Sequence, residues 1–180
     1  MFTKYGEAFK LKSTFGKVKD ASQQLYVVLL TSVSGLSDSV SACTGFTELS
    51  NQTTVNGTAY NNGYARQPLV KWNSANGGSF ESVFGNPEEG TGTDAGYIVI
   101  KNSTEILFPE NYNSTLDANV DLNGGNAIQY FGLVDAASGG NLVAYWDLGA
   151  DALTITSSDA IAPKIRPGKM VFRCAVTSAS

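Results

Sequence analysis

The apolar residues of this chain come in short runs separated by polar turn residues, which is a pattern of strands rather than helices. The clearest stretch is 126–148, Asn-Ala-Ile-Gln-Tyr-Phe-Gly-Leu-Val-Asp-Ala-Ala-Ser-Gly-Gly-Asn-Leu-Val-Ala-Tyr-Trp-Asp-Leu. Tyr130, Phe131, Leu133 and Val134 favour extended backbone, as do Val143, Tyr145 and Trp146. The intervening Ser138-Gly139-Gly140-Asn141 tolerates positive φ. The stretch therefore predicts two strands joined by a tight turn. Ile128, Tyr130 and Val134 point one way, and Ala127, Phe131 and Leu133 the other. Both faces are apolar, which places the first strand between two layers.

Leu25-Tyr-Val-Val-Leu-Leu-Thr31 predicts another buried strand. Residues 33–63 are mostly Ser, Thr, Gly and Asn, and read as an extended loop with a short strand near Phe46 to Leu49. So long a loop in a compact domain points to a functional segment, an arm or a partner surface. Gly63 to Trp72 reads as a strand bent at Pro68, and 73–96 as a second polar loop. Tyr97 to Lys101 and Thr104 to Phe108 predict a hairpin about Asn102-Ser103, and Ala152 to Thr156 with Lys169 to Val176 are expected to close the sheet. In residues 3–19, Tyr5, Ala8, Phe9, Phe15 and Val18 fall on a helical stripe that Gly6 and Gly16 weaken. The expected fold is all-β, a jelly-roll-like β-sandwich with a short N-terminal helix. The expected organisation is a basic helix or arm over 1–24 and a single β-sandwich domain over 25–180.

Composition narrows the chemistry. Only 16% of the 180 residues are charged, against a typical ~25%. There is no histidine, which removes Ser-His-Asp and Cys-His catalysis, His-ligated metals and an imidazole switch. Carboxylate chemistry survives that exclusion. Cys43 and Cys174 are far apart in sequence, and spacing does not decide between a disulfide and two buried free thiols, the simpler reading. The N-terminal residues lack the apolar core of a signal peptide, and no apolar run approaches the ~20 residues of a membrane helix. The reading is therefore a protein made in the cytoplasm, with no membrane partner.

Charge is unevenly placed. Residues 1–20 hold five lysines and two acids, 164–173 hold Lys164, Arg166, Lys169 and Arg173 without an acid, and 21–163 hold three basic and fourteen acidic residues. A plain solvated surface and docking of the basic ends on an acidic partner both fit this pattern. Nucleic acid is not an expected partner, because no aromatic–basic interleaving accompanies the lysines.

Several segments in order resemble one family. They are Leu-Tyr-Val-x-Leu-x-Thr (25–31), the acidic Glu48, Gly-Tyr-Ala-Arg-x-x-Leu (63–69), Phe-Gly-Leu-x-Asp-Ala-Ala-x-Gly-Gly-Asn-Leu-x-Ala-Tyr (131–145) and Pro-Gly-Lys-Met-Val-Phe (167–172). The pattern is similar to small tailed-phage virion proteins of the tail-fibre-like or capsid-decoration type, with extra loops at 33–62 and 109–126. The resemblance implies a β-sandwich built into a phage particle.

The function expected from these features is a non-enzymatic virion component: a decoration or cement protein that binds the outside of the capsid and stabilises it. Its partners are then the major capsid protein or other virion subunits, with a homotrimer favoured. The alternative is a tail-fibre or receptor-binding module for a host-surface glycan. No cofactor is implied. Lys4, Phe9, Lys10, Lys12 and Lys17 of the basic segment, with Phe46 and Tyr60 of the long loop, are the candidate interface residues. Arg66 is expected to pair with a carboxylate such as Glu48 or Asp135 and so to pin strand register.

Three further motifs bear on chemistry. Asn119-x-Asp121-x-Asn123-Gly124 has the start of a calcium-loop spacing, but Tyr130 stands where the closing Glu belongs, so an Asx-rich turn is the better reading. Glu88, Glu89, Glu105 and Glu110 supply carboxylates without a spacing that joins two of them for glycosidase chemistry. Trp72, Trp146 and the eight tyrosines are aromatic candidates for sugar stacking, with core packing the simpler role for the tryptophans; Tyr60 and Tyr112 lie in polar loops, where an exposed tyrosine suits a protein interface.

Overall fold

A computed structural model describes residues 3–6, 25–73 and 79–175, the side chains of 70–73, 79–82 and 174–175 excepted. The strands run in chain order as β1 (Tyr26–Ser32), β2 (Ser37–Asp38), β3 (Cys43–Thr44), β4 (Thr47–Glu48), β5 (Gln52–Val55), β6 (Thr58–Asn61), β7 (Gln67–Pro68), β8 (Val70–Asn73) and β9 (Ser79–Ser82). They continue as β10 (Glu88–Glu89), β11 (Tyr97–Lys101), β12 (Ile106–Leu107), β13 (Tyr112–Asn113), β14 (Ala118–Asn119), β15 (Tyr130–Val134), β16 (Leu142–Asp147), β17 (Lys164–Ile165) and β18 (Val171–Ala175). The protein is all-β, as its apolar pattern predicts. Of the expected N-terminal helix, Lys4–Gly6 take a helical turn, and the rest lies outside the described residues.

The contacts divide the chain into two compact units, a division the single-domain reading of 25–180 did not draw. The first comprises Met1–Pro68 and Phe108–Pro163. Its main sheet has the order β16-β15-β1-β4, with β7 also pairing with β1. β1 and β15 are antiparallel, Tyr26 opposite Val134 and Leu30 opposite Tyr130. Val27, Val28, Leu29 and Leu30 are all buried, so β1 is covered on both faces, as its continuous apolar run requires. On one face Val28, Leu30, Val134 and Leu142 pack with Cys43, and Tyr5, Phe46 and Tyr130 lean on that cluster. Gly132 lies on the same face because a Cβ there would sit 2.9 Å from Leu142 and 3.0 Å from Leu30.

The β15–β16 hairpin is present, but its connection is longer than a tight turn. Val134 pairs with Leu142, and 135–141 loop out between them. The 33–63 segment is not one extended loop. β2 pairs with β3, and β5 with β6 across Asn56-Gly57, whose φ angles of 50° and 80° suit a mirror-image two-residue turn.

The second unit comprises Leu69–Leu107 and Lys164–Ser180. It corrects the expected 97–108 hairpin. β11 pairs with β10 and β18, and β12 with β17. Asn102 explains why the chain does not simply turn back there. The residue is 1% exposed, and its side chain donates to the carbonyls of Thr104 (2.9 Å) and Arg166 (3.0 Å) and accepts the amide of Met170 (2.9 Å). It thereby joins 101–104 to a segment more than sixty residues away. Leu69, Val83, Val99, Ile106, Ile165 and Met170 are buried here. Residues 152–156, expected as a closing strand, supply one bridge, Leu153 to Ile128 in the first unit.

Candidate functional site

Arg66 precedes β7, and Glu48 ends β4. The Arg66 side chain is 11% exposed and that of Glu48 21%. Nε donates to Oε1 (3.0 Å) and Oε2 (3.1 Å), and Nη2 to Oε2 (2.5 Å), the two-pronged geometry that guanidinium and carboxylate planes favour. Nη1 reaches the β15–β16 loop, donating to the carbonyls of Ala136 (2.5 Å) and Gly139 (2.8 Å). Tyr64 completes the cluster. Its hydroxyl donates to Glu48 Oε1 (2.8 Å) and accepts the amide of Leu29 (3.1 Å) from β1. Burial first, and the Glu48 charge second, push the Tyr64 hydroxyl far above its ordinary range.

Arg66 therefore pairs with Glu48, and the other expected carboxylate has a different task. Asp135 accepts the amide of Asn141 (2.6 Å) and its Nδ2 (3.2 Å), which closes the hairpin loop from within. Its Oδ2 also accepts the hydroxyl of Tyr5 (2.5 Å). Arg66 grips the same loop through carbonyls, so of the two carboxylates expected as alternatives for it, Glu48 is the partner and Asp135 is not.

Tyr5 belongs to a tightly held N-terminal turn. Thr3 donates its amide to Val143 (3.1 Å) and its hydroxyl to the carbonyl of Leu142 (2.7 Å). The same hydroxyl accepts the amide of Gly6 (2.8 Å), the role of a helix N-cap. Asp38 accepts the amides of Lys4 (2.9 Å) and Tyr5 (3.4 Å), satisfying the donors that open the helical turn.

A second arrangement lies where the β5–β6 and β13–β14 hairpins meet in the first unit. Ala59, Tyr60, Asn61, Tyr112, Asn113, Ser114 and Thr115 line an open cleft of about 440 Å³. Asn113 is buried, donates to the carbonyl of Asn61 (2.6 Å) and accepts the amides of Thr115 (2.9 Å) and Leu116 (2.8 Å). It ties the two hairpin ends and shapes the turn between β13 and β14. Tyr112 is 43% exposed and donates its hydroxyl to Asp117, a hydrogen bond that raises the phenol pKa.

Of the sequence-predicted interface residues, Lys4 is exposed, while Phe46 and Tyr60 are half-buried. Phe9, Lys10, Lys12 and Lys17 lie outside the described residues. Cys43 is a buried free thiol whose pKa burial raises. The side chains of Cys174 and Trp72 also lie outside the described residues. Trp146 stacks on Phe131 with centroids 4.8 Å apart. In the Asn119–Gly124 segment, Asp121 accepts the amide of Ser157 (2.6 Å), and Asn123 donates to the carbonyl of Ala127 (3.1 Å), so these side chains hold turns. Glu88 pairs with Lys101 and Glu105 with Lys164. Among the described residues, no group of three or more Cys, Asp or Glu side chains is placed to hold a metal ion, and no helix is long and apolar enough to cross a membrane.

Sequence reasoning missed the buried asparagines. Asn62 joins the carbonyl of Ser50 (2.8 Å) to the amide of Tyr64 (3.1 Å). Asn111 joins the carbonyls of Val120 (2.8 Å) and Thr156 (3.0 Å) to the amide of Ile161 (3.3 Å). The available signal was the abundance of Asn beside Gly and Ser in the loops, where the short amide competes for backbone groups. No family model matches this chain, and no curated protein matches it.

Proposed function

We propose that this protein is a structural component of a tailed-phage particle: a decoration or cement protein that is made in the host cytoplasm and binds the outside of the capsid as a homotrimer. In this reading the strands belong to a jelly-roll-like β-sandwich fold, and the protein makes or breaks no covalent bond. The observation that carries the reading is how the loops are tied to the backbone by buried side chains. Asn62, Asn102, Asn111 and Asn113 are all buried and bond to backbone, and Arg66 clamps the 135–141 loop. Loops so fixed present a preformed surface, and a preformed surface loses little entropy on docking. Exposed Tyr97, Ile98 and Leu107 of the second unit add apolar area suited to an interface. The family resemblance of 25–31, 63–69 and 131–145 supports the same assignment.

Mechanistically, the protein binds only the assembled shell, so each contact adds free energy to the assembled state. Lys4, Phe46 and Tyr60 are contact candidates, together with the basic residues Lys10, Lys12 and Lys17 and with Phe9. The test is quantitative mass spectrometry of purified particles, followed by heating of particles with and without the protein. Hundreds of copies and a raised disruption temperature support the reading. A handful of copies points instead to a fibre or receptor-binding module, and absence from the particle overturns both.

A further inference from the structure

We propose that the cleft between Tyr60 and Tyr112 is a binding site for a neutral saccharide. This goes beyond capsid decoration and does not depend on it. The lining residues carry no formal charge: two tyrosines, two asparagines, a serine, a threonine and an alanine. Such a surface offers aromatic faces for the C–H side of a pyranose and amide and hydroxyl groups for its equatorial oxygens. It offers no fixed charge for a phosphate or carboxylate. The volume of about 440 Å³ falls in the range of small-molecule sites, and the cleft is open enough for a chain to enter and leave.

The site is preorganised at three points. Tyr112, exposed on β13, is held by its hydrogen bond to Asp117, so its ring need not be ordered by the ligand. Asn113 fixes the relative position of the two hairpin ends through Asn61 and sets the turn that carries Ser114 and Thr115. Gly63 allows the close approach below Asn61: its φ is +82°, and a Cβ there would lie 2.2 Å from the carbonyl oxygen of Glu110. The Asn61 side chain accepts the Gly63 amide (2.7 Å) and is steadied by it. This aromatic-and-amide surface lies in the first unit.

The experiment is saturation-transfer NMR on the full chain with maltotriose, cellotriose and chitotriose, and with sialyllactose as an anionic counterpart. Transfer to at least one neutral trisaccharide is expected, with weaker transfer to sialyllactose. Tyr112→Ala is expected to weaken binding about tenfold or more, since it removes the stacking face. Tyr112→Phe keeps the stacking ring but loses the hydrogen bond to Asp117 that holds it, and is expected to bind with an affinity between those of the unaltered protein and Tyr112→Ala. Thermal melting of both variants, whose changed side chain is exposed, verifies that they fold. No transfer from any neutral trisaccharide, preference for sialyllactose, or binding unchanged by Tyr112→Ala overturns the proposal. The isolated protein is used, so failure here leaves the particle-binding reading standing, and absence from particles leaves this site standing.

Discussion

Arg66 and Glu48 meet through two parallel bonds, Nε to Oε1 at 3.0 Å and Nη2 to Oε2 at 2.5 Å, while the remaining guanidinium nitrogen holds the carbonyls of Ala136 and Gly139. One side chain thus ties β4 to the β15–β16 loop. Removing it leaves a largely buried carboxylate and two loop carbonyls without their partner. Arg66→Ala is expected to lower unfolding free energy by about 2–4 kcal/mol, somewhat less than for a fully dry pair because Glu48 keeps some solvent contact. Arg66→Lys is expected to recover under half of the loss, because an ammonium cannot serve the carboxylate and both carbonyls at once. Urea denaturation of the three proteins measures this, and a cost below about 0.5 kcal/mol for Arg66→Ala would show the cluster to be dispensable.

The same cluster and the N-terminal turn set an alkaline limit. Tyr5 has its pKa pushed up from 10.0 to about 12 by burial and then by its hydrogen bond to Asp135. Tyr64 is shifted in the same direction, chiefly by burial. A phenol with a raised folded-state pKa keeps its proton longer folded than unfolded. Its contribution is complete below about pH 10 and is lost as pH rises through the folded value. The urea midpoint is expected to fall from about pH 10 toward pH 12, and Tyr5→Phe with Tyr64→Phe should flatten that fall while lowering neutral stability. An unchanged slope in the double variant would rule these phenols out as its source.

These clusters show what the sequence can and cannot convey. β1 and the β15–β16 hairpin were legible because a strand covered on both faces must be apolar at successive positions, and both segments are. The Arg66–Glu48 pair was legible because an arginine inside an apolar segment needs a carboxylate. Sequence alone did not choose between Glu48 and Asp135, because the partners of Asp135, Tyr5 and Asn141, depend on how the N-terminal turn and the loop fold. The 97–108 hairpin was misread for a related reason. Asn102-Ser103 has turn chemistry, but the partners of β11 and β12 come largely from 164–175, and local sequence does not encode so distant a pairing. In 33–63 the two-residue strands are too short for periodicity, although Asn56-Gly57 carried a recognisable hairpin signal.

Asn102 is the corresponding anchor of the second unit. With Asn102→Ala the carbonyls of Thr104 and Arg166 and the amide of Met170 lose a partner that no water replaces readily at 1% exposure. The expected cost is about 2–3 kcal/mol, the range for stranding buried polar groups. Hydrogen exchange should quicken at the Met170 amide, which the Asn102 side chain accepts directly. Protection at Met170 equal to that of the unaltered protein would mean the backbone is held there by other means.

Gly132 tests packing rather than polarity. On β15 it faces Leu30 and Leu142, and a Cβ would approach their Cδ1 atoms to 3.0 and 2.9 Å and the carbonyl oxygen of Ala144 to 3.2 Å. The two leucine ends can shift, but both are fully buried among Val28, Cys43 and Val134, so they have little room to do so. Gly132→Ala is therefore expected to destabilise by about 1–3 kcal/mol through overpacking, against the usual gain from removing a strand glycine. Adding Leu142→Val, which vacates volume on the same face, should recover part of that loss, and a double-mutant cycle reads the recovery as a coupling between the two sites. Independent, additive effects would mean that the strain falls on the Ala144 backbone instead of on the leucines.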